Sequence, residues 1–566
     1  MKSKISKTAV LLAFSLFFSF FISGAEIVKA PAEEIGYSQY SQYEEITAFL
    51  SRVSHLSEKV KVQIIGRTKD TEAYASRDLY LCIITEEGAD SPLKLNRKKP
   101  TFLLVASQHG REQSAKEATL LFIRDLATGK LESLMKRINF LIIPQANPYG
   151  NFFDQRRNEQ DLDLNRDHVK LEAPEVEAIH HVFRAWMPEV TMDVHEKGDD
   201  FYRVSIGCVS NANIHQSLQE FSRSKILTEV WKKLEKKRIT HQEYLITQHM
   251  GIDSSAGVRY PEEYLKGREE MKRYSTTDLN DGRNSLGIYE TLSFIQEGAS
   301  RHDLKTLRKR TNYQYDGIRY FAESVAAHGE EIISLVNGLR KKLLAEAKVF
   351  SEDDLVHLRM EYARDEKEPE LTIQKFEPID ASIEGVLKVD KKAGDIITRD
   401  DMATYRYPSE QEVVKEVVTN WFPNVEPTLS VPRPLGYIIP AKYHDIVETL
   451  FGHDIKVEMF TKDIHLEIES YQTKGIVPAI YDYLPPQKIE VEKKKLQTII
   501  KRGDFYVSCA QWGAKLIPCL LEPQSQYGFI RYWKFKLVPE AGDIFAFYRF
   551  VGKKALPLIP YKNWQR

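Results

Sequence analysis

The order of apolar and polar positions in the first 350 residues predicts buried strands that alternate with amphipathic helices. Mostly apolar runs at residues 78–85, 102–106 and 138–144 predict strands, and residues 112–127, between the last two, follow the period of a helix. Strands and helices in this order are typical of an α/β layered domain, whose functional groups lie at the carboxyl ends of strands. The residues that follow each strand are therefore the first candidates for chemistry.

The same pattern predicts the other elements of this half. A short helix at residues 43–53 and a strand at 60–65 come first, and a helix at 173–186 leads to a strand at 189–194. The remaining predictions are helices at 221–237 and 313–348, the second broken near Gly329, and a strand at 291–297. We expect these elements to form one domain from residue 26 to 350.

The pattern changes after Val349. Residues 351–370 are highly charged and predict a connector, and short strand-like runs punctuated by Pro and Gly dominate residues 371–566. These runs lie at residues 429–431, 435–439, 455–460, 504–508 and 544–550, with one predicted helix at 443–450. We expect a β-rich, sandwich-like accessory domain over residues 371–566.

The first 25 residues have the layout of a secretory signal. Lys2, Lys4 and Lys7 precede an apolar run at residues 9–23, and small residues follow it. The run is shorter than the ~20 residues that a membrane-spanning helix needs, so a cleaved signal is favoured over an anchor. We expect a secreted or periplasmic protein without a stable membrane span.

Composition narrows the class of protein. The chain has 566 residues, 42% apolar and 11% aromatic, with a formal net charge of -1, so it is globular and large enough for two domains. The balanced charge does not suggest a nucleic-acid-binding protein. The four cysteines, Cys82, Cys208, Cys509 and Cys519, show no CxxC spacing, and Cys509 and Cys519 either bridge neighbouring strands or, the interpretation we favour, are buried free thiols. The sequence leaves the oligomeric state open.

His109 and Glu112 are the first candidates for a metal site. They follow a predicted strand and begin a predicted helix, and their i, i+3 spacing points an imidazole nitrogen and a carboxylate in the same direction. Such a pair also arises by chance in a chain with 15 His and many acids. The pair therefore carries weight only with further ligands.

His195 and Glu297 could complete the site. Each ends a predicted strand, where a histidine near an acid is commonly a core residue and a glutamate a rim residue. Together with His109 and Glu112, however, His195 completes a His₂Glu zinc set that leaves a position for water, the arrangement of zinc hydrolases that attack acyl bonds. Glu297 then suits the role of general base.

At this point the chain resembles a known family, the zinc carboxypeptidases related to carboxypeptidase A. The resemblance rests on ordered motifs between residues 46 and 325. These are His109-Gly110-Arg111-Glu112 for the HxxE zinc motif, Asn147-Pro148-Tyr149-Gly150 for the NPDG turn, Arg156-Arg157-Asn158 for RxN, Asp163-Leu164-Asn165-Arg166-Asp167 for DLNRN, His195 for the third ligand, and the segment Arg283 to Gly287 before Glu297. Tyr149 stands where the family has Asp.

The resemblance implies a fold and a role for each site residue. It implies a mixed sheet flanked by helices, one Zn²⁺ held by His109, Glu112 and His195, and Glu297 as the catalytic base. It further implies that Arg156 stabilises the oxyanion, and that Asn165 and Arg166 grip the terminal carboxylate of the substrate. Adjacent amide and guanidinium donors suit a carboxylate, although an Asn-Arg pair in a loop is often only solvated. The family's substrate-capping Tyr has four candidates, Tyr260, Tyr264, Tyr274 and Tyr289.

These observations predict a secreted zinc metallocarboxypeptidase that hydrolyses C-terminal peptide bonds. Its partner would be a peptide with a free C-terminal carboxylate. Two alternatives stay open. The same scaffold could hydrolyse murein peptides or other amides, or the chain could be a non-catalytic cell-surface binding protein.

Overall fold

The computed structural model describes residues 28–198, 203–244, 246–249, 270–273, 276–300, 303–378, 411–419, 421–477 and 488–562. The predicted secretory signal lies outside the described residues. In chain order the elements of the first half are α1 (Pro31–Glu34), α2 (Tyr43–Leu56), β1 (Val60–Arg67), β2 (Asp78–Ile84), β3 (Thr101–Ala106), α3 (Gln113–Ala127), α4 (Glu132–Met135), β4 (Asn139–Ile143), α5 (Pro148–Phe152), α6 (Pro174–Trp186), β5 (Val190–Gly198), β6 (Val204–Cys208), α7 (Gln216–Phe221), α8 (Thr228–Lys236), β7 (His241–Glu243), β8 (Ile246–His249), β9 (Glu270–Arg273), α9 (Gly282–Gly287), β10 (Leu292–Ser300), α10 (Leu307–Ala327) and α11 (Gly329–Glu346).

One mixed sheet organises this half of the chain. Eight strands lie in the order β1-β2-β4-β3-β5-β10-β6-β7, and β4, β3, β5 and β10 run parallel to one another. The pairs β1-β2, β2-β4 and β10-β6 are antiparallel. The predicted α/β domain with a mixed sheet flanked by helices is therefore confirmed.

The apolar spacing explains the individual elements. In α2, Ile46, Phe49, Leu50 and Val53 recur at helical spacing and are buried. Every residue of β3 is buried, as expected of a strand covered on both faces. The strands β5 and β10 continue past the predicted ends, so His195 and Glu297 lie within their strands, side by side in the parallel register.

The second half is built mainly of antiparallel strands. Its elements are β11 (Leu355–Ala363), β12 (Leu371–Pro378), β13 (Gln411–Val418), β14 (Asn424–Pro432), β15 (Gly436–Ile439), α12 (His444–Gly452), β16 (Glu458–Phe460), β17 (Ile464–Val477), β18 (Lys488–Ile500), β19 (Phe505–Ser508), α13 (Leu516–Leu521), β20 (Tyr548–Phe550) and β21 (Leu558–Pro560). Seven strands form one sheet in the order β18-β17-β20-β15-β19-β16-β21, and β11-β14 and β12-β13 form two-stranded ribbons. The expectation of a β-rich second domain is confirmed.

Two expectations for this half need correction or completion. The charged residues 351–370 contain the strand β11 rather than only an irregular connector, because Val356, Leu358, Met360 and Tyr362 alternate with polar residues and are buried. The four cysteines are free and buried, so Cys509 and Cys519 form no bridge. Within the described part of the chain, no helix combines the length and apolarity needed to cross a membrane.

The two halves share packing. The largest apolar cluster includes Phe183 and Trp186 of α6 together with Ile446 and Leu450 of α12. The second domain therefore packs directly on the first, close to the helix that follows the Asp163–Asp167 motif.

Candidate metal centre and active site

The turn between β3 and α3 presents the first two candidate ligands. His109 lies in the turn, and Glu112 is the residue at which α3 begins. Gly110 between them packs against a second motif turn: a Cβ on Gly110 would lie 1.9 Å from the carbonyl carbon of Gly150. Only glycine permits this approach, so the HxxE turn and the NPYG turn are held against each other by their glycines.

Asn147 of the NPYG turn fixes this arrangement. Its amide nitrogen donates to Gln108 O at 3.1 Å, and its Oδ1 accepts from Gly150 N at 2.7 Å. Asn151 Nδ2 also donates to Gly110 O at 2.5 Å. These bonds join the backbone on both sides of His109 to the neighbouring turn. The motif therefore acts as a support for the candidate ligand.

His109, Glu112 and His195 converge on one point. Their three ligand atoms all lie within 4.8 Å of one another, and the residues are 5, 3 and 1% exposed. His109 Nδ1 lies 2.8 Å from Glu112 Oε1, and His195 Nδ1 lies 2.8 Å from Glu112 Oε2. The two Nδ1 atoms are 3.0 Å apart. Three residues from two separate elements thus aim their lone pairs inward.

Each histidine is oriented from behind by a carboxylate. His109 Nε2 bonds Asp163 Oδ1 at 3.1 Å, and His195 Nε2 bonds Asp193 Oδ2 at 2.6 Å. Burial opposes ionisation of both acids, but the facing imidazoles lower the pKa of Asp163 and of Asp193 below their usual values. A charged acceptor on Nε2 keeps the proton there and leaves Nδ1 as the ligand atom.

The donor set fits Zn²⁺. Two imidazoles and one carboxylate, with a carboxylate behind each imidazole, are the ligand types and outer partners of catalytic zinc sites. Burial would raise the pKa of Glu112, yet His109 and His195 hold it well below the usual range. The Glu112 side chain therefore stays a carboxylate. The predicted metal set is brought together as a cluster on the first domain.

Glu297 lies beside this cluster on the neighbouring strand. It is directly opposite His195 in the parallel register of β10 and β5, and its side chain is 8% exposed. Burial raises the pKa of Glu297 to about 7, with His195 lowering it and Glu112 raising it. A buried carboxylate whose pKa lies near neutrality is suited to accept and return a proton.

Arg156 reaches the cluster from the loop after α5. Its Nε donates to Asp163 Oδ2 at 2.7 Å, which anchors the guanidinium. Its Nη1 lies 3.2 Å from His109 Nδ1 and 3.9 Å from Glu112 Oε1. The guanidinium therefore borders the space at which the three ligand atoms point.

Asn165 and Arg166 adjoin the cluster from the Asp163–Asp167 motif. Asn165 Nδ2 is 3.2 Å from His195 Nε2, and its Oδ1 accepts from Gly282 N at 2.7 Å. Arg166 Nη1 donates to Asn165 O at 2.6 Å. Burial would lower the pKa of the Arg166 guanidinium, but the carboxylates of Asp278, Asp163 and Asp281 raise it. Arg166 is therefore a permanent cation, only partly buried, beside the site.

Sequence reasoning missed how Asp163 and Asp193 act. The contact of Asp193 with His195 could have been predicted, because side chains two residues apart on a strand lie on the same face of the sheet. Asp163 belongs to a quoted motif, but nothing local indicates that a loop carboxylate reaches His109, 54 residues earlier. Gln108 was also missed: its Nε2 donates to Asp193 Oδ2 at 2.7 Å, and its Oε1 bonds His168 Nε2 at 2.9 Å.

The candidates for a substrate-capping tyrosine stay unassigned. Tyr260, Tyr264 and Tyr274 lie outside the described residues. Tyr289 is buried with its ring 5.3 Å from that of Phe183, and burial raises the pKa of its hydroxyl above the usual range. It belongs to the packed core under α6 rather than to an open site.

Comparison with known proteins agrees with the geometry. A family model described as "Zinc carboxypeptidase" (Peptidase_M14) matches residues 46–191. The chain is 22% identical over 470 residues to carboxypeptidase 2 of Trichophyton rubrum, covering 78% of this chain and 74% of the relative. It is 26% identical over 207 residues to a probable carboxypeptidase 2 of Arthroderma benhamiae, covering 33% and 36%.

A metallo-carboxypeptidase structure from Burkholderia cenocepacia aligns with 51% of this chain and 70% of its own, at 18% identity and a TM-score of 0.38. The matched family segment contains His109, Glu112, Arg156, Asn165 and Arg166. His195 and Glu297 lie beyond its end and are joined to it by the sheet. With the matched motifs and the His-Glu-His cluster in one domain, the first half of the chain carries a zinc carboxypeptidase domain, which supports a metallocarboxypeptidase of the hydrolase class.

Proposed function

We propose that the protein removes residues from the C-terminal ends of peptides, with one Zn²⁺ per chain held by His109, Glu112 and His195. The observation that carries the proposal is the buried convergence of these ligands with two hydrogen-bonded arginines, Arg156 and Arg166, close by. One arginine borders the reacting centre, and the other offers a cation beside it. That arrangement suits a substrate with a scissile carbonyl at one point and an anionic end nearby.

The proposed chemistry divides between the metal and the side chains. Zn²⁺, when held by His109, Glu112 and His195, would supply Lewis acidity for the scissile carbonyl and would lower the pKa of water. Glu297 accepts the proton of the attacking water and passes it to the leaving amine. Arg156, anchored through Nε to Asp163, keeps its Nη donors for the oxyanion that develops on the carbonyl.

Asn165 and Arg166 select the substrate by its free carboxylate. Among the described residues, Arg166 donates one hydrogen bond, from Nη1 to Asn165 O. The other N–H groups of its guanidinium can therefore bind a carboxylate bidentately. Its raised pKa keeps it charged at any working pH. We further propose that residues 1–25 direct the protein out of the cytoplasm, on the support of their Lys-rich start and apolar run.

A pair of matched peptides tests substrate selection. The wild-type protein should cleave a peptide acid at least ~30-fold more efficiently than the same peptide with an amidated C-terminus, because the amide loses a charge-assisted contact of at least ~2 kcal/mol. Arg166→Ala should weaken cleavage of the acid strongly and of the amide little, so the two kcat/KM values converge. Arg156→Ala should slow both by ~10² or more, because it acts on the oxyanion.

Two results would overturn the proposal. If the wild type cleaved the acid and the amide equally well, the proposed carboxypeptidase activity would be wrong. An endopeptidase or an amidase, including one acting on murein peptides, would then be the better proposal. Stoichiometric zinc without release of any C-terminal residue from a broad peptide library would favour a non-catalytic binding protein.

A further inference from the structure

Residues 276–280, here called the clamp loop, connect the second domain to the proposed carboxylate clamp. The loop leads directly into α9, whose first residue, Gly282, donates its backbone N–H to Asn165 Oδ1 at 2.7 Å. Asp281 caps α9 by accepting from Asn284 N at 2.7 Å. The position of the clamp loop therefore sets where Asn165 is held.

The clamp loop also shapes the surroundings of Arg166. Asp278 is the carboxylate with the largest electrostatic effect on that guanidinium, followed by Asp163 and Asp281. Asn280 Oδ1 accepts from Val169 N at 2.8 Å, three residues after Arg166 in the chain. The loop is thus joined to the chain after Arg166 through Asn280, and Gly282, two residues after the loop, contacts Asn165.

Three tyrosines of the second domain hold this loop. Tyr362 OH accepts from Thr277 N at 2.9 Å, and Tyr532 OH accepts from Asn280 Nδ2 at 2.9 Å. Tyr527 OH forms a hydrogen bond with Thr277 Oγ1. Tyr362 and Tyr527 are buried, and Tyr532 is half-buried.

These tyrosines come from separate parts of the second domain. Tyr362 is on β11, Tyr527 follows α13, and Tyr532 lies further along that connection. Their hydroxyl groups nevertheless meet the same short loop, within four consecutive residues, Thr277 to Asn280. Other polar contacts between the two halves fall on Val169, Asn213 and Glu290, but the hydroxyl groups of these three tyrosines meet on the loop beside the clamp.

We propose that Tyr362, Tyr527 and Tyr532 are positioning residues for substrate specificity, and that the second domain sets the geometry of the carboxylate clamp through the clamp loop. This inference rests on the proposed function of Asn165 and Arg166. The hydroxyl groups of these tyrosines bond the clamp loop and not His109, Glu112 or His195 in the described part of the chain. They act by fixing Thr277 and Asn280, and through them Asn165 and the carboxylates that face Arg166. The accessory domain is then part of substrate recognition.

Tyrosine-to-phenylalanine variants test this, since each removes one hydroxyl and keeps the ring. Tyr527→Phe and Tyr532→Phe, singly and combined, are assayed on the peptide acid and its C-terminal amide. Each single change should raise KM for the acid and lower the acid-to-amide ratio of kcat/KM by roughly threefold to tenfold, the range that one lost hydrogen bond covers. The kcat for the acid and the kcat/KM for the amide should stay within about twofold.

Tyr471→Phe is the matched control. Tyr471 is another buried tyrosine of the second domain, and its hydroxyl accepts from Arg549 Nη1 at 2.9 Å within that domain. It should leave the acid-to-amide ratio unchanged. All variants are compared per zinc-loaded molecule, with Tm recorded. If the double variant does not fold, the half-buried Tyr532→Phe carries the test.

The outcomes separate this inference from the proposed function. A wild type that prefers the acid, with Tyr variants that keep the full preference, overturns the inference and leaves the carboxypeptidase intact. A fall in kcat on both substrates with an unchanged ratio also overturns it, because the loop would then serve catalysis or stability. A wild type without preference for the acid refutes the clamp itself. A ratio that falls in the Tyr527 and Tyr532 variants but not in Tyr471→Phe supports the inference.

Discussion

Each domain contains a cluster of buried charged residues. In one cluster an arginine of the chain balances the acids, whereas the other directs its acceptor atoms at a point where an added cation would fit. In the second domain Arg549 is enclosed by acids: its Nη1 lies 2.7 Å from Glu522 Oε1 and its Nε 3.2 Å from Glu469 Oε2. Tyr437 OH donates to the same Glu522 oxygen at 2.6 Å. Burial would lower the pKa of Arg549, but Glu522, the neighbouring tyrosines and Glu469 raise it. This cluster carries its own cation.

The cluster in the first domain is arranged differently. His109, Glu112 and His195 direct their ligand atoms at one another, and Arg156, a side-chain cation beside them, is hydrogen-bonded to Asp163. Negative groups stand behind both histidines as well. Both clusters are equally buried, so burial of charge alone does not identify a site. What distinguishes the candidate metal centre is that its acceptor atoms converge on one point, where an added cation would balance them.

The largest effect is expected from removing a ligand. His109→Ala or His195→Ala should lose stoichiometric zinc, because two protein ligands hold the ion far more weakly than three, and activity should fall by ~10³ or more. Zinc should raise the Tm of the metal-stripped wild type but not of the variants, by linkage of binding to folding. Metal analysis and thermal melts measure both effects. Near-stoichiometric zinc in both variants would refute the ligand assignment.

The next largest effect separates metal binding from proton transfer. Glu297→Gln keeps size and burial but cannot accept a proton, so kcat should fall by ~10² to 10⁴ while zinc is retained. Because burial raises the pKa of Glu297 to about 7, and only its carboxylate form is active, wild-type kcat/KM should rise with pH through about 7 and level off above it. A variant that retains most of the wild-type kcat would exclude Glu297 as the base.

Much of the fold could be predicted because local patterns there agree with tertiary structure. The strands and helices that bring His109, Glu112 and His195 together follow from apolar periodicity, and the ligands themselves follow from motifs. The residues behind the ligands could not be predicted in this way. Asp163 reaches His109 across a loop whose path depends on packing of the neighbouring turns.

The second domain was predicted less completely, for a physical reason. The hairpin β17-β18 contains many Lys and Glu residues. These charges mask the alternation of apolar and polar positions that is typical of a strand. The contacts of Tyr527 and Tyr532 with the clamp loop join residues about 250 apart in the chain. No local pattern of residues in the sequence predicts a contact between the two domains.

A smaller effect on zinc affinity is expected from changing a residue that hydrogen-bonds one of the proposed ligands. Asp193→Asn keeps the shape of the side chain but removes the charge that orients His195, so zinc affinity should weaken by ~10- to 100-fold. Competition with a chelator measures it. Asp125→Asn is the control, a buried carboxylate paired with Arg124 and Lys130 at the opposite end of α3, and it should leave zinc affinity unchanged. Equal zinc affinity in wild type and Asp193→Asn would remove Asp193 from the metal centre.

The smallest effect on turnover is expected where the comparison began, at Arg549. Arg549→Met strands Glu522 and Glu469 as buried acids without their cation, which should cost ~3 to 5 kcal/mol of unfolding free energy. Adding Glu522→Gln to Arg549→Met should recover part of that loss, because one stranded charge is removed. Zinc content and kcat/KM per folded molecule should stay at wild-type values in both variants, since this cluster contributes only to stability. Denaturant melts beside zinc analysis measure the two quantities separately. If Arg549→Met instead lowered zinc affinity while stability held, the two clusters would be coupled, and the distinction between a self-neutralised cluster and a metal-requiring one would be wrong.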